Sequence, residues 1–538
     1  MSESSQQNEV SQEEPPTRKW PGLHVMSLDL RSLAVLRMAY GFILLCDTVV
    51  RWTDLEAHYS DFGVLPRSEL LALAWNKYWF SVHMASGNLK WLALLFALQT
   101  ACAVALMVGW RTRVVTFLSW LLLISVHSRN PIVLNGGDIY LRVILFWMLF
   151  LPWGQRWSMD ARSGQGDHRW WMPRISGNIL KGVAPMGLTL QVAFVYWFAV
   201  SPRTDPSWVV NYSATNLALH LDQFLTPAGY LFRDTFSAQL ALLTWAVMVW
   251  EAYGPFLLFF PFDRGQVRTL AIAGFMAMHL GFGTMMELGF FAWIGVLSPL
   301  GLLPSWLWDS PLKRLSAWAD SKLGKAEPVE TNRWFGYLRE YFFLLLILYC
   351  FIWNMGNENM TPKSLRLHPG LAWIGHALRI DQRWNMFSPG PLTEDGWYII
   401  EGRFKHGVVR DLFKPGGGEV SWEKPEDVAH TYKNQRWRKY MMNLWLAENE
   451  KFRLPFGRYI CRKWNRKGRR PDELSSFELI YMLENTNLDG TESKPEKRVV
   501  WKHWCFDKPA IIDPGPPIGE NLQRNLERKL KQKRVRTK

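Results

Sequence analysis

LRMAYGFILLCDTVVRW, residues 36–52, is an apolar run with one cation near its start and an acid and a base four residues apart near its end. It is the denser half of a stretch reaching back to residue 30. A membrane span needs about 20 mostly apolar residues to cross a hydrocarbon core of about 30 Å, and this stretch has that length. One such run fits a buried core helix equally well. Repetition decides between the two. Comparable stretches recur near 89–108, 111–128, 138–154, 180–200, 238–260, 268–286, 288–306 and 335–356. Together they predict an all-α polytopic membrane domain of about nine transmembrane helices. The Gly and Pro residues inside several of them are tolerated by membrane helices.

The 538 residues are 49% hydrophobic, with 31 Trp and 31 Phe, yet the mean hydropathy is only −0.08. That average joins two unlike parts. Most of the net charge of +15 lies beyond residue 356, where the chain turns polar and basic. There, WYIIEGRF (397–404) and GVVRDLF (407–413) predict a hairpin around Lys405-His406-Gly407. Residues 427–447 and 452–466 read as helices, and FELIYMLENT (477–486) and KRVVWKHWCF (497–506) as strands. The expectation is a small α+β extracytoplasmic domain following the membrane domain. The chain divides into a disordered cytoplasmic tail (1–27), the main transmembrane domain (28–308), a cytoplasmic linker with the last span (309–356), the α+β domain (357–515) and a basic tail (516–538). Two connections look more than simple. LPRSELLALAWNKYWF, within 54–80, suits a helix lying in the interface, and 204–237 alternates polar and apolar groups on the outer surface.

Orientation follows from the short loops. Arg111 and Arg113, then Arg156, Arg162, Arg169, Arg174 and Lys181, then Arg264 and Arg268, then Lys313, Arg314, Lys322, Lys325 and Arg333 mark alternate connections. The positive-inside rule puts these loops and the N-terminus in the cytoplasm, and nine spans put the C-terminal domain outside. The first 20 residues have no apolar core, so they do not read as a secretory signal. Cys46, Cys102 and Cys350 fall in apolar runs, whereas Cys461 and Cys505 can pair if their domain faces an oxidising compartment. The last residues, NLQRNLERKLKQKRVRTK, read as a solvated tail, so the expected partner is the lipid bilayer and not nucleic acid. There is no phosphate loop, HExxH or CxxC pair, and no metal site is expected.

Ionisable groups inside spans are costly and mark function by default. Asp47 with Arg51, and Asp138 with Arg142, have the i, i+4 spacing of structural pairs. Asp138 also suits the start of a helix, as a cap. Arg37 and Glu251 have no local partner, so each either pairs between helices or lines a polar cavity. His279 faces either a cavity or a packing contact. His127, Arg129 and Asn130 follow the third span and could hydrogen-bond a polar headgroup or a quinone oxygen.

Several segments resemble one family in the right order. LRMAYGFILLCDTVVRW with HYSDFGVLPR (58–67), SRNPIVLNGGDIYLR (128–142), LPWGQRWSMD (151–160), MHLGFGTMMELGFFAWIGVLSPLGLLP (278–304) and QRWNMFSPGP (382–391) are similar to the HTTM domain. That is the membrane domain shared by vitamin K-dependent γ-carboxylases and many bacterial proteins. The resemblance implies a bacterial inner-membrane protein with a cytoplasmic N-terminus and an extracytoplasmic C-terminal domain. It also implies a possible cofactor, reduced vitamin K or another quinone. In the carboxylases a base deprotonates the hydroquinone, which reacts with oxygen. The resulting alkoxide takes a glutamate γ-proton, and carbon dioxide adds to the carbanion. A lysine in a dry pocket can be that base, because desolvation lowers its pKa.

YWFAVSPRTDPSW (196–208) resembles the segment carrying that lysine. Aligning Tyr196, Asp205 and Trp208 puts Pro202 and Arg203 where the family has a Lys-Lys pair. Arginine stays protonated at any attainable pH, so Arg203 is not expected to act as base. A salt bridge to Asp205 is its expected role, and binding an anion, a carboxylate or a phosphate headgroup, with its planar fork is the alternative. His279 matches a late-helix histidine of the family and is the substitute base if one is needed. Three readings follow. The first is an HTTM protein without the catalytic lysine, binding a lipid, a quinone or an envelope protein. The second is an active carboxylase or epoxidase using His279. The third is a transporter, which the lack of internal repeats disfavours.

Overall fold

The computed structural model describes residues 25–164, 174–263, 265–326, 333–357, 362–466 and 472–506. The expected N-terminal tail up to residue 24, Arg169 and Arg264, and the basic tail 516–538 lie outside the described residues.

A bundle of helices comes first: α1 (Leu30–Trp52), α2 (Leu89–Val108), α3 (Thr112–Arg129), α4 (Gly136–Met148), α5 (Val183–Val200), α6 (Leu240–Leu257), α7 (Gln266–Met285), α8 (Phe290–Leu297) and α9 (Arg333–Asn357). Five described stretches are helices long and apolar enough to cross a membrane: α1, α2, α5, Ser237–Leu257 (containing α6) and Gly336–Asn357 (within α9). The protein is accordingly a membrane protein. Five, not nine, of the apolar stretches have that length and composition. The 13 residues of α4 reach only about 20 Å at ~1.5 Å per residue. The eight-residue α8 passes into a 3₁₀ turn at Ser298. α3 carries Arg113, His127 and Arg129, and α7 carries Gln266, Arg268 and His279, which dilute otherwise adequate lengths.

The outward faces suit an apolar solvent. Leu94 on α2, Leu242 and Tyr253 on α6, and Tyr337, Leu338, Tyr341 and Leu345 on α9 are exposed. α1 packs on α2, α5 on α6 and α9, and α7 on α8. Their common core includes Leu36, Tyr40, Tyr140, Ile144, Trp147, Val192 and Phe275. Asp29 caps α1, its carboxylate accepting from the Arg31 amide at 2.8 Å. α4 opens on a capping box in which Asn135 and Asp138 each take the other's backbone N–H. α2 ends at Gly109 with φ +70°, and a Cβ there would collide with the Arg37 guanidinium. The glycine serves both the turn and the arginine's packing.

The interfacial helix expected within 54–80 is reduced to short helices at Leu55–Tyr59 and Arg67–Leu73. Residues 204–237 likewise form three short helices.

Three short strands, β1 (Ser27–Asp29), β2 (Arg174–Ser176) and β3 (Ile179–Lys181), form a small antiparallel sheet, and the C-terminal domain carries a second in the order β5 (Val409–Asp411), β4 (Glu394–Phe404), β6 (Leu474–Asn485), β7 (Glu496–Trp504). β4 and β5 form the hairpin around Lys405–Gly407, where Gly407 takes φ +89°. Helices α10 (Gln435–Trp445) and α11 (Arg453–Asn465) share a core with it: Tyr398, Ile400, Tyr440, Leu444, Phe456, Leu479 and Tyr481. The same cluster takes in Val64, Leu65, Ile132 and Val133 of the membrane half, so apolar packing runs continuously between the two. A disulfide joins Cys461 on α11 to Cys505 beyond β7.

Candidate functional site

The charged groups of the sequence fall into two buried sites. The first lies where α1, α3 and α4 meet α10. Arg51 Nε donates to Asp47 at 2.7 Å, its Nη1 to the Tyr59 hydroxyl at 2.8 Å and its Nη2 to Asp138 at 2.5 Å. His127 Nε2 lies 3.1 Å from Arg51 Nη2 and 3.3 Å from Asp138. From the other side Arg436 donates to Asp47 at 2.5 Å, to both oxygens of Asp138 at 2.9 and 3.1 Å, and to the Val133 carbonyl at 3.1 Å. Asp47, Arg51, Tyr59, His127, Asp138 and Arg436 are all buried. Asp47, His127 and Asp138 place one ligand atom each within 4.8 Å of one another, a spacing that could hold a cation. Two guanidinium groups already lie among them and balance the two carboxylates. The donor set therefore fits an ion network better than a metal.

The expected Asp138–Arg142 pair is absent. Asp138 sits in the first turn of α4 and turns to Arg51 and Arg436. Arg142, one turn later, reaches Asp381 at 2.9 Å and also donates to its backbone carbonyl. Arg379 stands beside that acid and donates to Ser128.

The second site lies at the end of α5. Arg203 is buried and donates from Nη1 to Glu251 of α6 at 2.5 Å. Its guanidinium stacks 4.2 Å from the centre of the Trp208 ring. Asp205 is not its partner. Asp205 caps the short helix Pro206–Val209, accepting from the Ser207 amide at 2.9 Å. With that carboxylate committed to the backbone, Arg203 turns inward. The segment 385–391 closes over this loop, with Trp208 Nε1 donating to the Phe387 carbonyl at 2.9 Å and the Asp205 amide to Pro389 at 3.2 Å.

Next along α5, Tyr196 stacks on Phe275 at 4.0 Å, and its hydroxyl lies 3.1 Å from His279 Nε2. His279 is buried between Phe282, Phe291 and Gly295, and its Nδ1 has no hydrogen-bond partner among the described residues. The Tyr40 and Ser298 hydroxyls meet at 2.6 Å, and Tyr140 neighbours both Ser298 and Tyr196.

The remaining candidates bind backbone. Arg37 donates to the Leu106 and Trp157 carbonyls. Arg129 donates to Leu65 and Ser60, and Asn130 to His58. These bonds tie the loop after α1 to the end of α3 and leave little for a headgroup. Sequence reading missed Arg436 and Asp381, which lie about 300 and 240 residues from their partners. The basic stretch NQRWRKY was the only local signal of the former.

Residues 26–306, just over half of the chain, match the family model of the HTTM domain. No curated protein and no solved structure matches the chain. The chain belongs to the HTTM-domain family.

Proposed function

We propose that this HTTM-family membrane protein works by binding a lipid, a quinone or an envelope protein, and that it has lost vitamin K-dependent carboxylation. The observation that carries this reading is the Arg203–Glu251 pair. Carboxylation needs a base whose proton comes and goes near neutrality. A lysine can be tuned there by desolvation, but a guanidinium cannot. Here the guanidinium is also committed to a carboxylate and a ring. The nearest lysine in sequence, Lys181, precedes α5 and so lies at its opposite end.

A second reading keeps the enzyme, as a hydroquinone-dependent carboxylase or epoxidase. One observation favours it: His279 is buried, bonded on one side to Tyr196 and unpartnered on the other among the described residues. Imidazole is the side chain that titrates nearest neutrality.

The protein is placed in a bacterial inner membrane, with the N-terminus cytoplasmic and the C-terminal domain outside. The alternation of basic loops supports that orientation. So does the Cys461–Cys505 disulfide, a bond that persists in oxidising compartments. Hydroquinone turnover tests the function. Native protein given reduced vitamin K and oxygen is expected to form no epoxide. Epoxide that disappears in His279→Ala would replace this reading with the second.

A further inference from the structure

A cavity of about 730 Å³ opens where the loop after α1 meets the C-terminal domain. That volume lies within the ~300–1,000 Å³ of small-molecule sites. Its floor is apolar, made by Ile400 of β4, Leu412 just after β5, Met441 of α10, and Phe456 and Ile460 of α11. Phe62 stands at the mouth with 63% of its surface exposed.

The rim is charged and unbalanced. Two carboxylates line it and both are taken: Asp54 holds Lys433 at 2.6 Å, and Glu56 holds Arg466 at 2.6 Å. Two more cations, Arg462 and Lys463, line it without an ion-pair contact among the described residues. Arg462 uses one nitrogen on the Phe62 and Gly63 carbonyls, leaving the rest of its fork. Lys463 has no hydrogen-bond or ion-pair partner among the described residues. Lys463 is exposed, and both the Lys433 ammonium and the Asp54 carboxylate act on it. The buried Tyr432 also lines the cavity, and its hydroxyl has no hydrogen-bond partner among the described residues.

We propose that this cavity binds a single-chain anionic amphiphile, with its alkyl chain on the apolar floor and its carboxylate or phosphate at Lys463 and Arg462. An apolar slot beside two cations that have no ion-pair contact among the described residues matches that ligand in both halves. An extended peptide would leave backbone groups unpaired against Ile400, Leu412 and Ile460. Access fits as well. The wall formed by residues 53–62 follows α1 directly, so the mouth opens at the end of a membrane-crossing helix. An acyl chain reaches it from the bilayer or from solution. The inference does not depend on the chemistry of the helix bundle.

The test uses the full chain in phosphatidylcholine nanodiscs, with 11-(dansylamino)undecanoate as the fluorescent probe. Saturable binding is expected. Palmitate and palmitoyl-lysophosphatidate should displace the probe, and methyl palmitate should not. Tighter displacement by palmitate assigns a free acid, and by lysophosphatidate a lipid-derived ligand. Lys463→Glu, at the exposed rim, should weaken binding about tenfold, as expected for loss of one charge-assisted bond. Ile460→Trp should fill the floor and abolish binding, with a thermal melt confirming that each variant is folded. The proposal is overturned by absence of saturable binding to the native protein. It is equally overturned by unchanged affinity in folded Lys463→Glu, by equal displacement with methyl palmitate, or by displacement with an acidic peptide in place of the acids.

Discussion

Two of the sites where buried arginines meet carboxylates are built very differently. At the junction of the membrane bundle with the C-terminal domain, Arg51 and Arg436 share Asp47 and Asp138, with Tyr59, His127 and the Val133 carbonyl filling further positions. In the bundle, Arg203 has one carboxylate, Glu251, and one ring, Trp208. The junction is a network whose members each satisfy several others, and it crosses from one part of the fold to the other. The bundle pair is local and replaceable in kind. A buried ion pair is weak evidence for stability, because desolvation offsets most of its attraction. The difference lies in what removal leaves behind.

The largest effect is expected at the junction. Arg436→Ala leaves Asp47 and Asp138 sharing Arg51 alone, in a site closed to water. It should cost about 3–5 kcal/mol, read as a lower unfolding midpoint, and should expose the segment after residue 381 to trypsin. An unchanged midpoint would reduce the network to packing.

A second contact sharpens the comparison through pH. Asp395 is buried against Gln223, whose side-chain nitrogen donates to it at 2.6 Å. Burial first, and then the nearby Asp222 carboxylate, push its pKa up to about 7. An acid raised in the folded state stabilises the fold fully below its unfolded value, near 4. That stability is lost as pH rises through about 7. The loss should be on the order of 3 kcal/mol between pH 4 and 7, and Asp395→Asn should flatten that slope in pH-dependent melts. The slope surviving in the variant would assign it to another group.

The bundle pair should respond less. Glu251→Gln leaves Arg203 buried without its counter-charge, relieved by the Trp208 ring, and should cost about 2 kcal/mol. The joint substitution Arg203→Met with Glu251→Leu should return to within about 1 kcal/mol of the native protein. A double variant as damaged as the single would show that the pair does more than occupy space.

How much of this was legible in sequence follows the range of each interaction. Apolar stretches of span length are local, and so is the i, i+4 spacing of Asp47 and Arg51, which the structure joins at 2.7 Å. The same spacing failed for Asp138 and Arg142, because a carboxylate in a first helical turn is drawn to the backbone it caps and to whatever cation packs there. That cation, Arg436, arrives from almost 300 residues away, and periodicity carries no record of it. Length misled as well. The apolar stretch at 138–154 reads as a span, but its helix stops at Met148 and the chain turns through Pro152 to Trp157. At Arg203 the family resemblance drew attention to the loop after α5, and the structure shows that the expected partner, Asp205, is not the one it takes. Glu251, paired with it across two helices, was visible only as a charge in need of explanation.

The measurement that tests the account most directly is epoxide formation from reduced vitamin K and oxygen, run on the native protein and on Arg203→Lys across pH 6 to 9. The proposed loss of carboxylation rests on aligning Arg203, which does not titrate, with the base of the carboxylases. It predicts no epoxide from the native protein at any of these pH values, whatever the lysine variant does. Sustained epoxide from the native protein, rising with pH as a base is freed, would contradict it.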